Sequence, residues 1–209
     1  MLSPHRLVLL ITMIVAASRA AFAASTTVDR VTFELFPNPA FVACLSAADG
    51  KTPTVTVSVH RGLRNDHLRL VMKHFKPGIG LDLFTVQRSN QDVDGNPVAD
   101  FPGFGLAWYQ SDAKTSRHPA KVDINTILVD QIFGFDPDVG LTPTQTLHVG
   151  LWFNDPADAE QCGFAGPPTP FNGTHNAGPL AFISRPDANG LGPLCTNPNT
   201  SVVPATCNP

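Results

Sequence analysis

The chain has 209 residues, with 14 Lys and Arg against 17 Asp and Glu for a formal charge of −3. Its cations stand singly, so no Lys/Arg cluster exists to displace counterions from a polynucleotide, and nucleic acid is not an expected partner. Twenty Pro and 16 Gly leave few windows for a helix of three turns, while 14 Phe with Val, Thr and Ile favour pleated strands.

Residues 1–23 read as an export signal. Arg6 lies in a basic head, Leu7 to Ala17 form an apolar run, and Ala21-Phe22-Ala23 sets small residues before a cleavage point at Ala24. The run is shorter than the ~20 residues that cross a bilayer, and no Cys adjoins the cut for lipid attachment. Cleavage is expected, leaving no membrane span and a secreted or periplasmic product. Loss of Arg6 and Arg19 makes that product more acidic.

Exported thiols oxidise, so Cys44, Cys162, Cys195 and Cys207 are expected in two disulfides. Three pairings are possible. Cys44 with Cys162 and Cys195 with Cys207 is favoured, because the second pair closes a short tail with little else to hold it. No C-x-x-C occurs, which removes the zinc-ribbon and thioredoxin-type readings.

Period-two alternation predicts strands over residues 31–36, 54–60, 67–73, 81–88, 105–110, 122–129, 146–153 and 180–184. Val55, Val57 and Val59 share one apolar face, as do Leu147, Val149, Leu151 and Phe153. Residues 125–133 also fit helical spacing, with strand preferred. Asn154-Asp155-Pro156 offers a cap and a first-turn proline for one short helix over 157–161. The chain is loop-like from Cys162, and a Pro/Asn-rich tail over 195–209 lacks periodicity. The expected fold class is all-β, an antiparallel β-sandwich of jelly-roll type over residues 24–194, with long loops and at most one or two short helices.

Three groups of side chains invite a chemical reading. His60, His67 and His74 recur every seven residues, but strand geometry puts only the first two near each other, the third roughly 20 Å from His67 at ~3.3 Å per residue. Asp92, Asp94, Asn96 and Asp100 resemble a calcium loop. Pro97 and Gly103 stand where an EF-hand needs Gly and a bidentate Glu, which leaves a looser calcium site or a plain Asp-Gly turn. Calcium is the only cofactor the sequence suggests. His148 and Trp152 flank Gly150 on the mixed face of the strongest strand, where an imidazole and an indole form a shallow ligand platform or lie under a covering loop. His175, inside the distinctive 169–179 loop, is a further ligand-binding candidate.

The runs Phe104-Gly105-Leu106-Ala107-Trp108-Tyr109-Gln110, His148-Val149-Gly150-Leu151-Trp152-Phe153-Asn154-Asp155-Pro156 and 169–179 together resemble an uncharacterised group of secreted bacterial β-sandwich proteins. The resemblance covers most of the mature chain and implies a stand-alone exported domain. It carries no activity, cofactor or site.

No G-x-S-x-G elbow, H-E-x-x-H motif, P-loop or dinucleotide fingerprint is present. The expected function is therefore a non-catalytic binding or surface-interaction module for an extracellular ligand, a glycan or envelope component. The alternatives are a secreted hydrolase or metal-dependent enzyme using His148, His175 and an Asp, and a calcium-stabilised structural domain.

Overall fold

Apolar alternation broken by Gly and Pro gives strands close to where it predicts them. The computed structural model describes residues 30–60, 66–115, 120–126, 144, 146–166, 177–195, 198–199 and 206–207. Its strands are β1 (Arg30–Pro37), β2 (Thr54–His60), β3 (Asp66–Lys73), β4 (Gly80–Val86), β5 (Ala107–Lys114), β6 (Ala120–Thr126), β7 (Thr146–Phe153) and β8 (Leu180–Ile183), followed by the short β9 (Leu194–Cys195), β10 (Pro198–Asn199) and β11 (Thr206–Cys207). β5 begins later than expected because Gly105, at φ 76°, still turns the chain. Residues 127–133, where strand competed with helix, lie outside the described residues, as does His175.

The antiparallel all-β class is observed. The long strands join in one path, β5-β4-β7-β8-β1-β2-β3-β6, with β9 beside β7. β1 links the two halves: residues 30–35 pair with β2, and Phe36 and Pro37 pair with β8. The result is one sheet curled into a half-barrel.

Cross-strand register explains the core. Val55 faces Met72, Val57 faces Leu70 and Val59 faces Leu68, while across the curl Leu81 faces Phe153 and Leu83 faces Leu151. All ten are buried in the concave core. On the β2–β3 half the convex face is polar and wet, with Thr32 and Ser58 hydrogen-bonded at 3.0 Å. On the other half every residue of β7 is buried, because a second core of Phe84, Val86, Trp152, Leu180 and Ile183 covers the convex face. A strand buried on both faces loses its alternation of exposure while keeping its alternation of direction.

Two short helices, α1 (Val42–Leu45) and α2 (Pro156–Glu160), pack onto the main core through Leu45 and Ala159. α2 forms as its cap predicts, Asp155 Oδ1 accepting from the Ala157 N–H at 2.8 Å. The favoured Cys44–Cys162 disulfide is present and ties the two helical segments together. Phe41 packs edge-on against Phe153 and Phe164 beside it. Cys195 is also disulfide-bonded, and the side chain of Cys207 lies outside the described residues. The first residue of the tail joins the sheet, Cys195 pairing with Thr146 just after buried Leu194 pairs with Leu147. None of the helices is long and apolar enough to cross a membrane, among the described residues.

Candidate functional site

Two excursions of the chain flank β7 at one level. β4 ends at Val86, the register partner of His148, and the chain runs out from Gln87 before returning as β5. On the opposite edge, β8 pairs with β7 over Gly150 to Trp152, and β9 pairs with Thr146 and Leu147. The arch between them leaves the β7 edge beside His148. Between loop and arch lies an open cleft of about 440 Å³ with His148 at its base, within the usual ~300–1,000 Å³ of small-ligand sites.

His148, Gly150 and Trp152 point to the same face of β7, as alternation requires, yet only His148 meets the cleft. Trp152 is fully buried. Its indole lies across Gly150, where a Cβ would come within 2.4 Å of the ring. Phe84 and Phe104 meet it edge-on at 5.4 and 5.1 Å. The expected imidazole–indole platform is thus replaced by a packed aromatic core, since a planar apolar group this size loses less free energy under a loop than in water.

His148 is held from behind. Its Nδ1 lies 3.2 Å from both the carbonyl oxygen and Oγ of Ser184, and that Oγ accepts from the Val149 N–H at 3.0 Å. A carbonyl only accepts, so its contact assigns the proton to Nδ1 and leaves a lone pair on Nε2. Burial pushes the imidazole down to about 4, opposed in part by the Ser184 carbonyl. Only glycine fits where the arch returns: a Cβ on Gly192 would lie 2.4 Å from the Leu147 carbonyl oxygen and 3.2 Å from the His148 ring.

The rest of the cleft is mixed. Val93 and Val98 are exposed at the rim, and Phe101, Pro102 and Pro186 extend its apolar lining. Arg88, two residues past the partner of His148, donates a 3.5 Å hydrogen bond to the Gly103 carbonyl. Gln91 accepts from Arg185 Nε at 2.9 Å, while the Arg185 guanidinium stacks 3.8 Å from the Phe36 ring centroid and lies against Gly95. This clamp fixes one wall to the other, so the cleft is formed before any ligand arrives.

The calcium reading finds little support in the loop geometry. Asp92 accepts from the Asn96 backbone N–H at 2.8 Å and side-chain amide at 3.0 Å. The Asn96 amide first, then its backbone, holds this carboxyl below the ordinary range. It serves its own turn, with the Gly95 N–H closing on the Asp92 carbonyl. Asp100 adopts a positive φ of 48° outside that turn. No set of three His, Cys, Asp or Glu side chains converges on a cation position among the described residues. His60 and His67 sit opposite each other on the exposed face. His74 instead meets Asp49, Nδ1 to Oδ2 at 2.6 Å.

Chemically, His148 accepts a hydrogen bond but is a poor general base. Its orienting partner is a carbonyl in place of a carboxylate, and its depressed pKa weakens proton abstraction at neutral pH. Sequence patterning finds His148 and misses Arg88, Gln91, Phe101 and Asp187. The available signal was the polar run Gln87 to Asp92 directly after a buried strand end.

The titration of His148 has a measurable consequence. The unfolded chain takes up this proton near pH 6.5, the folded chain only near pH 4. Between those values the unfolded state holds more protons, so stability falls as pH falls; above about 6.5 both states are neutral and the slope vanishes. Urea titrations at pH 7.5 and 4.5 should show His148→Asn removing most of a pH-linked loss of about 2.5 kcal/mol. Equal pH slopes for variant and parent would refute the assignment.

Comparison with protein-family models, curated proteins and solved structures found no match to this chain.

Proposed function

We propose that this chain is an exported, non-catalytic binding module whose ligand enters the cleft between the Gln87 loop and the 184–193 arch. One observation carries the reading: a buried imidazole, its Nδ1 held by Ser184, lines a preformed cleft whose rim exposes Val93 and Val98. Exposed apolar groups around convergent polar atoms suit capture of a small molecule. The leader-like residues 1–23 and the Cys44–Cys162 bond support export to an oxidising compartment. The facing halves of the curled sheet act as the two layers of a sandwich, and the bacterial secreted group remains the family reading.

The hydrolase alternative draws no comparable support, because His148 is oriented by Ser184 and the two carboxylates lining the cleft, Asp92 and Asp187, cap their own turns. The experiment is two-dimensional NMR of the full chain with a fragment library, alongside ester, glycoside and phosphoester turnover assays. Ligand-induced shifts should cluster at Arg88, Gln91, Phe101 and His148, with no turnover. Dispersed or absent shifts would overturn the binding reading, and turnover abolished by His148→Asn would replace it with catalysis.

A further inference from the structure

The cleft is lined by both donors and acceptors. His148 Nε2 is an acceptor only, given the proton on Nδ1. Asp187 adds an acceptor, since Oδ1 takes the Asn189 and Leu191 N–H groups at 2.8 and 2.9 Å while Oδ2 makes no bond among the described residues. Arg88 is a donor only, with most of its N–H groups unengaged among the described residues, and the Gln91 amide nitrogen is a donor whose sister oxygen is already held by Arg185. A ligand that meets all four needs groups that donate and accept within a short span. Hydroxyl groups on adjacent carbons do this.

Charge and shape narrow the class further. Among the described residues that line the cleft, one cation, Arg88, stands against two carboxylates, Asp92 and Asp187, a balance that does not favour an anion. The rim of Val93, Val98, Phe101 and Pro102 offers an apolar surface, and Phe101 is braced edge-on by Phe104 at 4.9 Å. A ring with C–H bonds on one face and hydroxyls at its edge matches both surfaces. Clamping by Arg185 removes much of the ordering cost that a loop-built site otherwise carries.

From this arrangement, and resting on the binding-module reading above, we infer that the ligand is a neutral saccharide, its hydroxyls bridging Arg88 and His148 and its C–H face lying on Phe101. A lone acyl chain leaves the four polar groups unpaired, which costs binding free energy. An acidic sugar meets the two carboxylates.

The test is titration of the full-length, disulfide-intact chain by NMR and calorimetry with neutral trisaccharides of glucose, mannose, galactose and N-acetylglucosamine, each to 10 mM. A galacturonic acid trimer, decanoate and a proline-rich tetrapeptide complete the set. At least one neutral trisaccharide should saturate shifts at Arg88, Phe101 and His148, with little change in affinity between low and high salt. Arg88→Met and Phe101→Ala should each weaken it tenfold or more, and His148→Phe should do the same if its melt matches the parent. Tyr109→Ala, an exposed aromatic on β5 away from the cleft, should leave it unchanged. Cleft binding of decanoate or the peptide without any neutral sugar would overturn the saccharide assignment and keep the binding module. Preferential binding of galacturonate would overturn neutrality alone. Silence from every probe would remove both.

Discussion

Replacing Trp152 by Ala is expected to cost about 3–5 kcal/mol of folding stability, the range for emptying a buried aromatic site. The indole is fully buried, it bridges Phe84 and Phe104, and its ring fills the space over Gly150. Edge-to-face contacts add about 0.5–1.5 kcal/mol per aromatic pair beyond area alone. A thermal midpoint lower by about 6–20 °C follows for a chain of this size. Circular dichroism is the suitable probe, because the substitution removes one of two tryptophans. Gly150→Ala should also destabilise, as its Cβ meets the indole, but the double variant should lose less than the two losses added together. A Trp152→Ala protein as stable as the parent would mean the indole is a surface platform after all.

Removing the Cys44–Cys162 bond carries the second large effect. The bond closes a loop across 118 residues of sequence, and cross-links of this span contribute about 2–5 kcal/mol, chiefly by restricting the unfolded chain. Four residues of helix at Val42–Leu45 cannot persist alone, since nucleating a single turn is unfavourable. Their place depends on Cys44, on Phe41 against Phe153 and on buried Leu45. Urea titration of Cys44→Ala/Cys162→Ala should show a loss in this range with an unchanged far-ultraviolet strand signal. A loss below about 0.5 kcal/mol would show that packing alone holds the helical end.

The strand plan was legible from the chain because exposure and alternation coincide on β2 and β3, where one face is wet. The short helix after Asp155 was legible for an equally local reason, a capping carboxylate beside a first-turn proline. The sorting of β7 was not. His148 and Trp152 have the same direction and neighbouring positions, yet one borders a cleft and the other fills a core. That difference depends on Phe104, nearly fifty residues earlier in the chain, and on the arch that returns at Gly192. The calcium-like spacing of Asp92, Asp94 and Asn96 failed as a guide because a turn and an ion compete for the same carboxylate oxygens. In this loop the backbone N–H and side-chain amide of Asn96 take those of Asp92.

By itself the sequence determined the antiparallel β class, the approximate positions of the eight long strands, the export-signal pattern and the favoured Cys44–Cys162 pairing. Each follows from short-range periodicity, local capping or the chemistry of one residue type. Only the tertiary structure decided that the strands form one curled sheet, that Trp152 is buried and that Arg88, Gln91, Phe101, His148 and Asp187 share a cleft. Those outcomes rest on which edges pair and which loops cover them, and hydrogen-bond satisfaction at a strand edge depends on partners that lie far away along the chain.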